Sequence, residues 1–317
     1  MIAGENEPSL GIFLTQVGFT VGESVRIASL PEILPSTETL DRLTRGGLAN
    51  IRQSDLAAWQ LAVDSARLTL DSSATADVDL VVYATDTFWG NDEHELDAGR
   101  FLQAAGLERT PLIGVGLAGC ANFAVAMRTA VACLRDGDAT TALVATADVC
   151  QPGQRLLDSG IGVLSDGAAT CVVTTRRPEH GLQFLGITMA VEAGLHALRS
   201  ASEPMAIGMA MAMATSRGVQ RAVTALYEKT GLSPGDFSYL VTNNYVESSL
   251  KVFANAAGLP FDRTYRGTVA GYGHCFAADA LINFATMTSE RILEPGDRVL
   301  AIVAGYNSWA CMAFSVV

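Results

Sequence analysis

The chain has 317 residues, of which 49% are hydrophobic and 17% charged, a composition of compact folded proteins that excludes a disordered one. Twenty-one Lys and Arg against 33 Asp and Glu leave a net charge of −12, and without a Lys/Arg-rich run this excludes general binding to phosphate backbones. MIAGENEPSL is not a signal peptide and no run of about 18 apolar residues follows, so a soluble cytoplasmic protein is expected. Six cysteines, Cys120, Cys133, Cys150, Cys171, Cys275 and Cys311, show no CxxC or CxxxC spacing, which predicts reduced thiols rather than zinc ligands or a disulfide framework.

Gly11 to Phe19 (GIFLTQVGF) reads as a strand, and Ser54 to Leu70 carries apolar residues at helical spacing. Val78 to Ala84 (strand), Glu93 to Ala105 (helix), Pro111 to Val115 (strand), Ala121 to Leu134 (helix) and Thr141 to Ala147 (strand) continue an alternation that predicts a layered α/β fold. After a link at Arg176 to Gly181 the rhythm resumes. Strands are expected at Leu182 to Met189, Tyr239 to Thr242, Val299 to Ala304 and Ala310 to Val316, and helices at Arg217 to Thr230, Glu247 to Ala257 and about Ala277 to Ile292. The similar content of the two halves predicts a duplicated core, with residues 1–177 and 178–317 as its halves, two sheets and buried helices between them. Met205, Met209, Met211 and Met213 are expected in a flexible apolar linker.

Leu112 to Leu134 (LIGVGLAGCANFAVAMRTAVACL) places Cys120 between a glycine-rich turn and the start of an apolar helix. Free N–H groups and the positive end of the helix dipole there are expected to favour the thiolate, and Gly114, Gly116 and Gly119 to allow a carbonyl to approach backbone donors. Cys120 is therefore the candidate nucleophile.

GLAGCANFAVAM resembles the active-site elbow of the β-ketoacyl-acyl carrier protein synthase III family, within the thiolase fold superfamily. VLSDGAATCVV (163–173) resembles its "GDGAGA" hairpin, FSYLVTNNYVESSLKVFANAAGLP (237–260) its "PHQAN" segment and following helix, and YGHCFAADALINF (272–284) its "YGNTSAAS" segment, while 296–317 is similar to its closing hairpin. The resemblance spans nearly the whole chain. It implies an α/β fold with a thiolase-like duplicated α-β-α-β-α layered core and two mixed sheets.

The pattern is broken at two places. The His and Asn that stabilise an enolate in condensing members fall on Asn243 and His274, so that pair is not intact. His274 is followed five residues later by Asp279, in GHCFAAD. With Asp279 in the first turns of a helix, its carboxylate can reach back to one imidazole nitrogen while the other faces Cys120, making a Cys-His-Asp relay suited to deprotonating the thiol and then an acceptor. This looks like the acyltransferase offshoot of the family found in antibiotic pathways, which moves an acyl group to an alcohol or amine. Asn243 is expected in the pocket as a hydrogen-bond donor, with Asn244 lining the substrate pocket. Backbone groups at Cys120, Asn307 and Ser308, in the Gly305 to Ser308 turn, are expected to hold the oxyanion. Against this reading stand decarboxylative condensation, with Asn243 and His274 as an exchanged pair, and a non-catalytic partner subunit. His94, His180 and His196 lie in polar or loop contexts and are expected to play no catalytic part.

The resemblance implies a thioester donor on coenzyme A or on the phosphopantetheine arm of an acyl carrier protein, with no further cofactor and no metal. Carrier proteins are acidic, and Arg42, Arg45, Arg52, Lys251, Arg263 and Arg266 are the candidates for a docking patch. Thr85 to Asp92 (TDTFWGND) resembles the family's dimer-interface loop, which implies a homodimer in which Phe88 or Trp89 closes the neighbour's acyl pocket.

Overall fold

Strands that are apolar at every position need both faces covered, and the architecture follows from that requirement. The computed structural model describes residues 11–71, 77–87, 94–157, 160–200 and 204–317. The chain runs β1 (Phe13–Val21), β2 (Glu23–Arg26), α1 (Thr37–Arg45), β3 (Asn50–Gln53), α2 (Ala58–Asp71), β4 (Leu80–Ala84), α3 (His94–Ala104), β5 (Leu112–Val115), α4 (Asn122–Asp136), β6 (Thr141–Asp148) and β7 (Gly167–Thr174). It continues with β8 (Leu182–Val191), α5 (Pro204–Thr230), β9 (Tyr239–Thr242), α6 (Glu247–Ala257), α7 (Val269–Tyr272), α8 (Asp279–Ser289), β10 (Arg298–Ala304) and β11 (Ser308–Val316).

Nine strands hydrogen-bond in the order β5-β4-β6-β7-β1-β8-β11-β10-β9, and β2 and β3 pair separately. The two mixed sheets expected from the sequence are two blocks of this order, β5 to β1 and β8 to β9. They meet along a seam of only two residue pairs, Phe13 with Gln183 and Leu14 with Leu182. Among the described strands, β4 pairs in parallel with β5 and β6, and β9 with β10.

Alternate residues of each central strand enter different cores, as the two-residue strand period requires. Leu80, Val82 and Ala84 of β4 and Val299, Ala301 and Val303 of β10 share one cluster with Phe123 and Met127 of α4 and Leu281 and Phe284 of α8. α4 and α8 are thus buried together against both blocks. On the opposite faces, Val81 and Tyr83 of β4 pack with Leu61 of α2 and Phe101 of α3, while Leu300 and Ile302 of β10 pack with Leu226 of α5 and Phe253 of α6. Among the described residues no helix is long and apolar enough to cross a membrane.

The methionine-rich stretch is not a flexible linker but the first part of α5, a helix of 27 residues from Pro204 to Thr230. Met and Ala are strong helix formers, and a proline in the first turn lacks only an N–H that has no intrahelical partner there. Met211 packs on the core, whereas Met209 and Met213 are 63% and 58% exposed. α1, β2 and β3 are short amphipathic pieces that the apolar periodicity passes over; α1 is marked by Ser36, whose hydroxyl caps Thr39 N–H at 3.1 Å.

A buried ion pair joins the segments behind the first block. Asp166 meets Arg155 at 2.8 Å and accepts N–H bonds from Ser54 and Cys150, both at 2.8 Å. Removing one partner leaves an uncompensated buried charge, so Asp166→Ala is expected to cost about 3–5 kcal/mol. A urea unfolding midpoint unchanged from wild type would contradict that.

Candidate active site

The chain leaves β5 at Val115 and reverses into a short 3-10 turn, Gly119–Ala121, before α4 begins at Asn122. The reversal requires positive φ at Leu117 (70°) and Gly119 (57°). Asn122 locks it: its Oδ1 accepts from Ala118 N–H at 3.0 Å and its Nδ2 donates to Thr85 C=O at 3.1 Å, tying the elbow to the end of β4. From the other side, the β10–β11 turn presses on the elbow. A Cβ on Gly305 would lie 2.1 Å from Ala118 O, so only glycine fits, and Ser308 Oγ donates to Ala118 O at 3.1 Å. Cys120, half-buried, projects from this corner.

His274 is placed by strand-like bonds on either side of its ring, its N–H donating to Val163 C=O at 2.9 Å and its C=O accepting from Ser165 N–H at 2.8 Å. Nε2 lies 3.0 Å from Cys120 Sγ, and Nδ1 lies 2.5 Å from Asp279 Oδ2. Asp279 opens α8, where the preceding 3-10 turn Phe276–Ala278 returns the carboxylate toward the imidazole. It also accepts N–H bonds from Asn244 and Cys275, both at 2.7 Å. His274 and Asp279 are fully buried, and the imidazole ring sits 4.8 Å from the Tyr245 ring and 6.1 Å from that of Phe276. The structure thus brings Cys120, His274 and Asp279 into one chain of contacts.

Asn243 is not the pocket donor that the sequence reading expects. Its Oδ1 accepts from Ala304 N–H at 2.8 Å and its Nδ2 donates to Phe276 C=O at 3.3 Å, so the amide staples backbone from β10 to the turn before α8. The adjacent Asn244 is buried, its Oδ1 accepting from Thr268 Oγ1 at 3.1 Å and from Asn283 Nδ2 at 3.2 Å, while its Nδ2 has no hydrogen-bond partner among the described residues. Asn307 and Ser308 lie in the turn against the elbow, where Asn307 C=O accepts from Glu192 N–H. Phe88 and Trp89 lie outside the described residues, as do the side chains of His94 and His196; His180 is exposed on the surface.

The cationic candidates divide. Lys251 and Arg266 both pair with Glu247, at 2.6 and 3.6 Å, which offsets part of their charge. Arg52 donates to Gly271 C=O at 2.9 Å and stacks on Tyr272, and Arg263 donates to Phe237 C=O at 2.7 Å. Arg45 bonds Asp41 C=O, and the Arg42 guanidinium packs against Gly160. The basic residues are therefore engaged locally, and Lys251 and Arg266 both lie over the Phe261 ring.

Two further carboxylates belong to the site and were not singled out from the sequence. Asp148, at the end of β6, is buried and accepts from Thr85 Oγ1 and from Asp86 N–H, both at 2.7 Å. Its second oxygen has no hydrogen-bond partner, and burial, with repulsion from Asp86, pushes its pKa up to about 7 despite the Thr85 bond. Asp86 follows β4, and its Oδ2 lies 3.9 Å from where a Cβ on Gly119 would stand. Burial raises its pKa and the His274 charge lowers it. The only signal in the sequence is an acid just beyond a strand's C-terminal end, where α/β folds gather their site residues.

These charges act against the thiolate expected at the helix start. Burial raises the Cys120 thiol well above its ordinary value, and Asp86, Asp148 and Asp279 raise it further; its own N–H opposes them only weakly.

Residues 227–316 match the family model described as 3-oxoacyl-[acyl-carrier-protein (ACP)] synthase III C terminal. The chain is 28% identical to β-ketoacyl-[acyl-carrier-protein] synthase III 5 of Streptomyces coelicolor, over 90% of this chain and 94% of that protein. Among solved structures it superposes on the acyltransferase ChlB3 with a TM-score of 0.82 at 19% identity, covering 97% of this chain and 98% of that one. It matches 3-oxoacyl-(acyl carrier protein) synthase III, FabH, of Pseudomonas aeruginosa PAO1 with a TM-score of 0.80 at 20% identity, over 96% and 98%.

A neutral thiol reacts slowly with alkylating agents, because the thiolate is the nucleophile. The raised pKa means that the charged form appears only at high pH, so Cys120 labelling by iodoacetamide is expected to keep rising beyond the range in which a free thiol has levelled off. A rate already at its plateau near pH 7 would contradict the electrostatics.

Proposed function

We propose that this chain, whose fold and sequence are similar to those of β-ketoacyl-acyl carrier protein synthase III-like proteins of the thiolase fold, is an acyltransferase. It takes an acyl group from a thioester of an acyl carrier protein or coenzyme A onto Cys120 and passes it to a hydroxyl or amine acceptor in secondary metabolism. The observation that carries this reading is the contact of Cys120 Sγ with His274 Nε2 at 3.0 Å, backed by Asp279 at 2.5 Å on Nδ1. Residues 1–177 supply the nucleophile and residues 178–317 the imidazole and carboxylate.

The chemistry follows from a neutral thiol beside a carboxylate-backed ring. As Sγ attacks the donor carbonyl, His274 Nε2 takes the thiol proton, and Asp279 stabilises the imidazolium and keeps the ring's orientation. The tetrahedral oxygen is held by backbone N–H groups at Cys120 and in the Asn307–Ser308 turn. The imidazolium then returns its proton to the departing pantetheine thiolate, leaving the acyl group on Cys120. In the second half the acceptor attacks and the Cys120 sulfur leaves beside the same ring. No metal and no further cofactor enters the proposal, and the working unit is a homodimer.

Decarboxylative condensation fits less well. It needs a pair of neutral donors over the enolate, and the Asn243 amide is committed to Ala304 and Phe276. Asp86, Asp148 and Asp279 also set a negative field around Cys120 that opposes a malonyl carboxylate.

Incubation with a panel of acyl thioesters and weighing of the intact protein tests the reading. Wild type is expected to gain one acyl mass and Cys120→Ala none; an adduct on Cys120→Ala removes Cys120 as nucleophile. Carbon dioxide release from malonyl thioester would select condensation instead, and the absence of any adduct would favour a non-catalytic subunit. Asp279→Asn is expected to slow turnover about 10²- to 10⁴-fold, because it leaves the ring without its anionic partner. Near-normal turnover would take Asp279 out of the mechanism.

A further inference from the structure

Resting on the acyl-enzyme reading above, we propose that Asp86 is the base that meets the acceptor: its carboxylate takes the proton of an uncharged hydroxyl or amine as that group attacks the acyl carbon on Cys120.

The geometry separates two bases by access. His274 has both ring nitrogens engaged, Nδ1 by Asp279 and Nε2 by the sulfur, and its ring is fully buried beside Tyr245 and Phe276. Once Sγ carries an acyl group, that group stands in front of the one nitrogen able to receive a proton. Asp86 approaches the elbow from a different element, the end of β4, with Oδ2 next to Gly119, the residue before Cys120. Unlike His274 and Asp279 it is only half-buried. Its backbone is fixed, since its N–H donates to Asp148 Oδ1 at 2.7 Å, and the same oxygen accepts the Thr85 hydroxyl at 2.7 Å. Its carboxylate, by contrast, makes no hydrogen bond or ion pair to any described residue. A rigidly mounted carboxylate at the elbow, with no partner among the described residues, is placed to take a proton from an incoming substrate.

The groups that face it shape its basicity. Burial disfavours its charge, while His274 favours it. A carboxylate raised in this way is a better proton acceptor near neutral pH than a solvated one. The same negative surroundings repel an anionic acceptor, which limits the class to neutral alcohols and amines.

The step balances. The acceptor O–H or N–H bond breaks and its proton passes to Asp86; the new O–C or N–C bond forms at the acyl carbon. The C–S bond to Cys120 breaks with its electron pair returning to Sγ, and the proton held by Asp86 then passes to that thiolate.

The test separates the half-reactions. Acetyl-, butanoyl- and benzoyl-coenzyme A serve as donor probes, and acylation is followed by intact mass in wild type, D86N and D86E. The isolated adduct is then exposed to ethanolamine, which offers a hydroxyl and an amine, and its loss is timed; where ethanolamine adds nothing to the wild-type rate, loss to water is the same readout. D86N is expected to release the acyl group about 100-fold or more slowly while its acylation falls far less, with D86E recovering part of the release rate. Release from D86N at the wild-type rate overturns the assignment, and so does an equal fall in both half-reactions, which would mark a structural role. Failure of wild type itself to form an adduct is a different result, because it removes the acyl-enzyme reading on which the inference stands.

Discussion

Asp279 is a carboxylate without solvent, and its position is tolerable only because every oxygen is answered: one by Cys275 N–H, the other by Asn244 N–H and the His274 ring. That arrangement fixes where α8 begins, since the carboxylate must sit in its first turn with the preceding backbone folded over it. It fixes the imidazole as well, leaving Nε2 pointed at the sulfur. The two N–H donors come from segments before α6 and before α8, so a single carboxylate holds together the pieces of the second block that face the nucleophile. A buried charge left with fewer partners costs more than the bonds it forms, which makes the arrangement all-or-none.

On the opposite side, the elbow is held by backbone contact rather than by charge. Gly305 lets the β10–β11 turn touch Ala118, Ser308 bonds the same carbonyl, and Asn122 spans from Ala118 to Thr85. The sulfur is thereby set at a corner whose three sides are β4, the closing hairpin and the segment before α8. Asp86 and Asp148 enter by the first of these sides. The result is a thiol with three carboxyl groups near it, unlike the cationic surroundings that lower the pKa of reactive thiols elsewhere.

Much of this was legible from residues alone. The apolar runs of β4, β6, β10 and β11 announce strands buried on both faces, and the glycine turn before an alanine-rich helix announces Cys120. The spacing of His274 and Asp279 carries the relay, because a helix starting between them turns five residues of separation into a side-chain contact. What sequence reasoning placed wrongly was the part decided by hydrogen-bond competition. Asn243 occupies a register associated with catalysis, yet its amide is claimed by Ala304 and Phe276. The helix-terminus argument for an ionised Cys120 is local, and it is outweighed by burial and three carboxylates that arrive from distant parts of the chain. Nothing local marks Asp86 or Asp148, which are joined across 62 positions.

The sequence by itself determined the alternation of strands and helices, the corner that presents the thiol and the pairing of one imidazole with one carboxylate, because each depends on neighbours within a few residues. The tertiary structure decided how the two blocks of strands join, at a seam of two residue pairs, and that the methionine-rich stretch is helical. It alone decided which polar side chains face the sulfur and which are spent on backbone. Those outcomes are set by competition among groups far apart in the chain, where burial makes every unanswered donor, acceptor or charge costly.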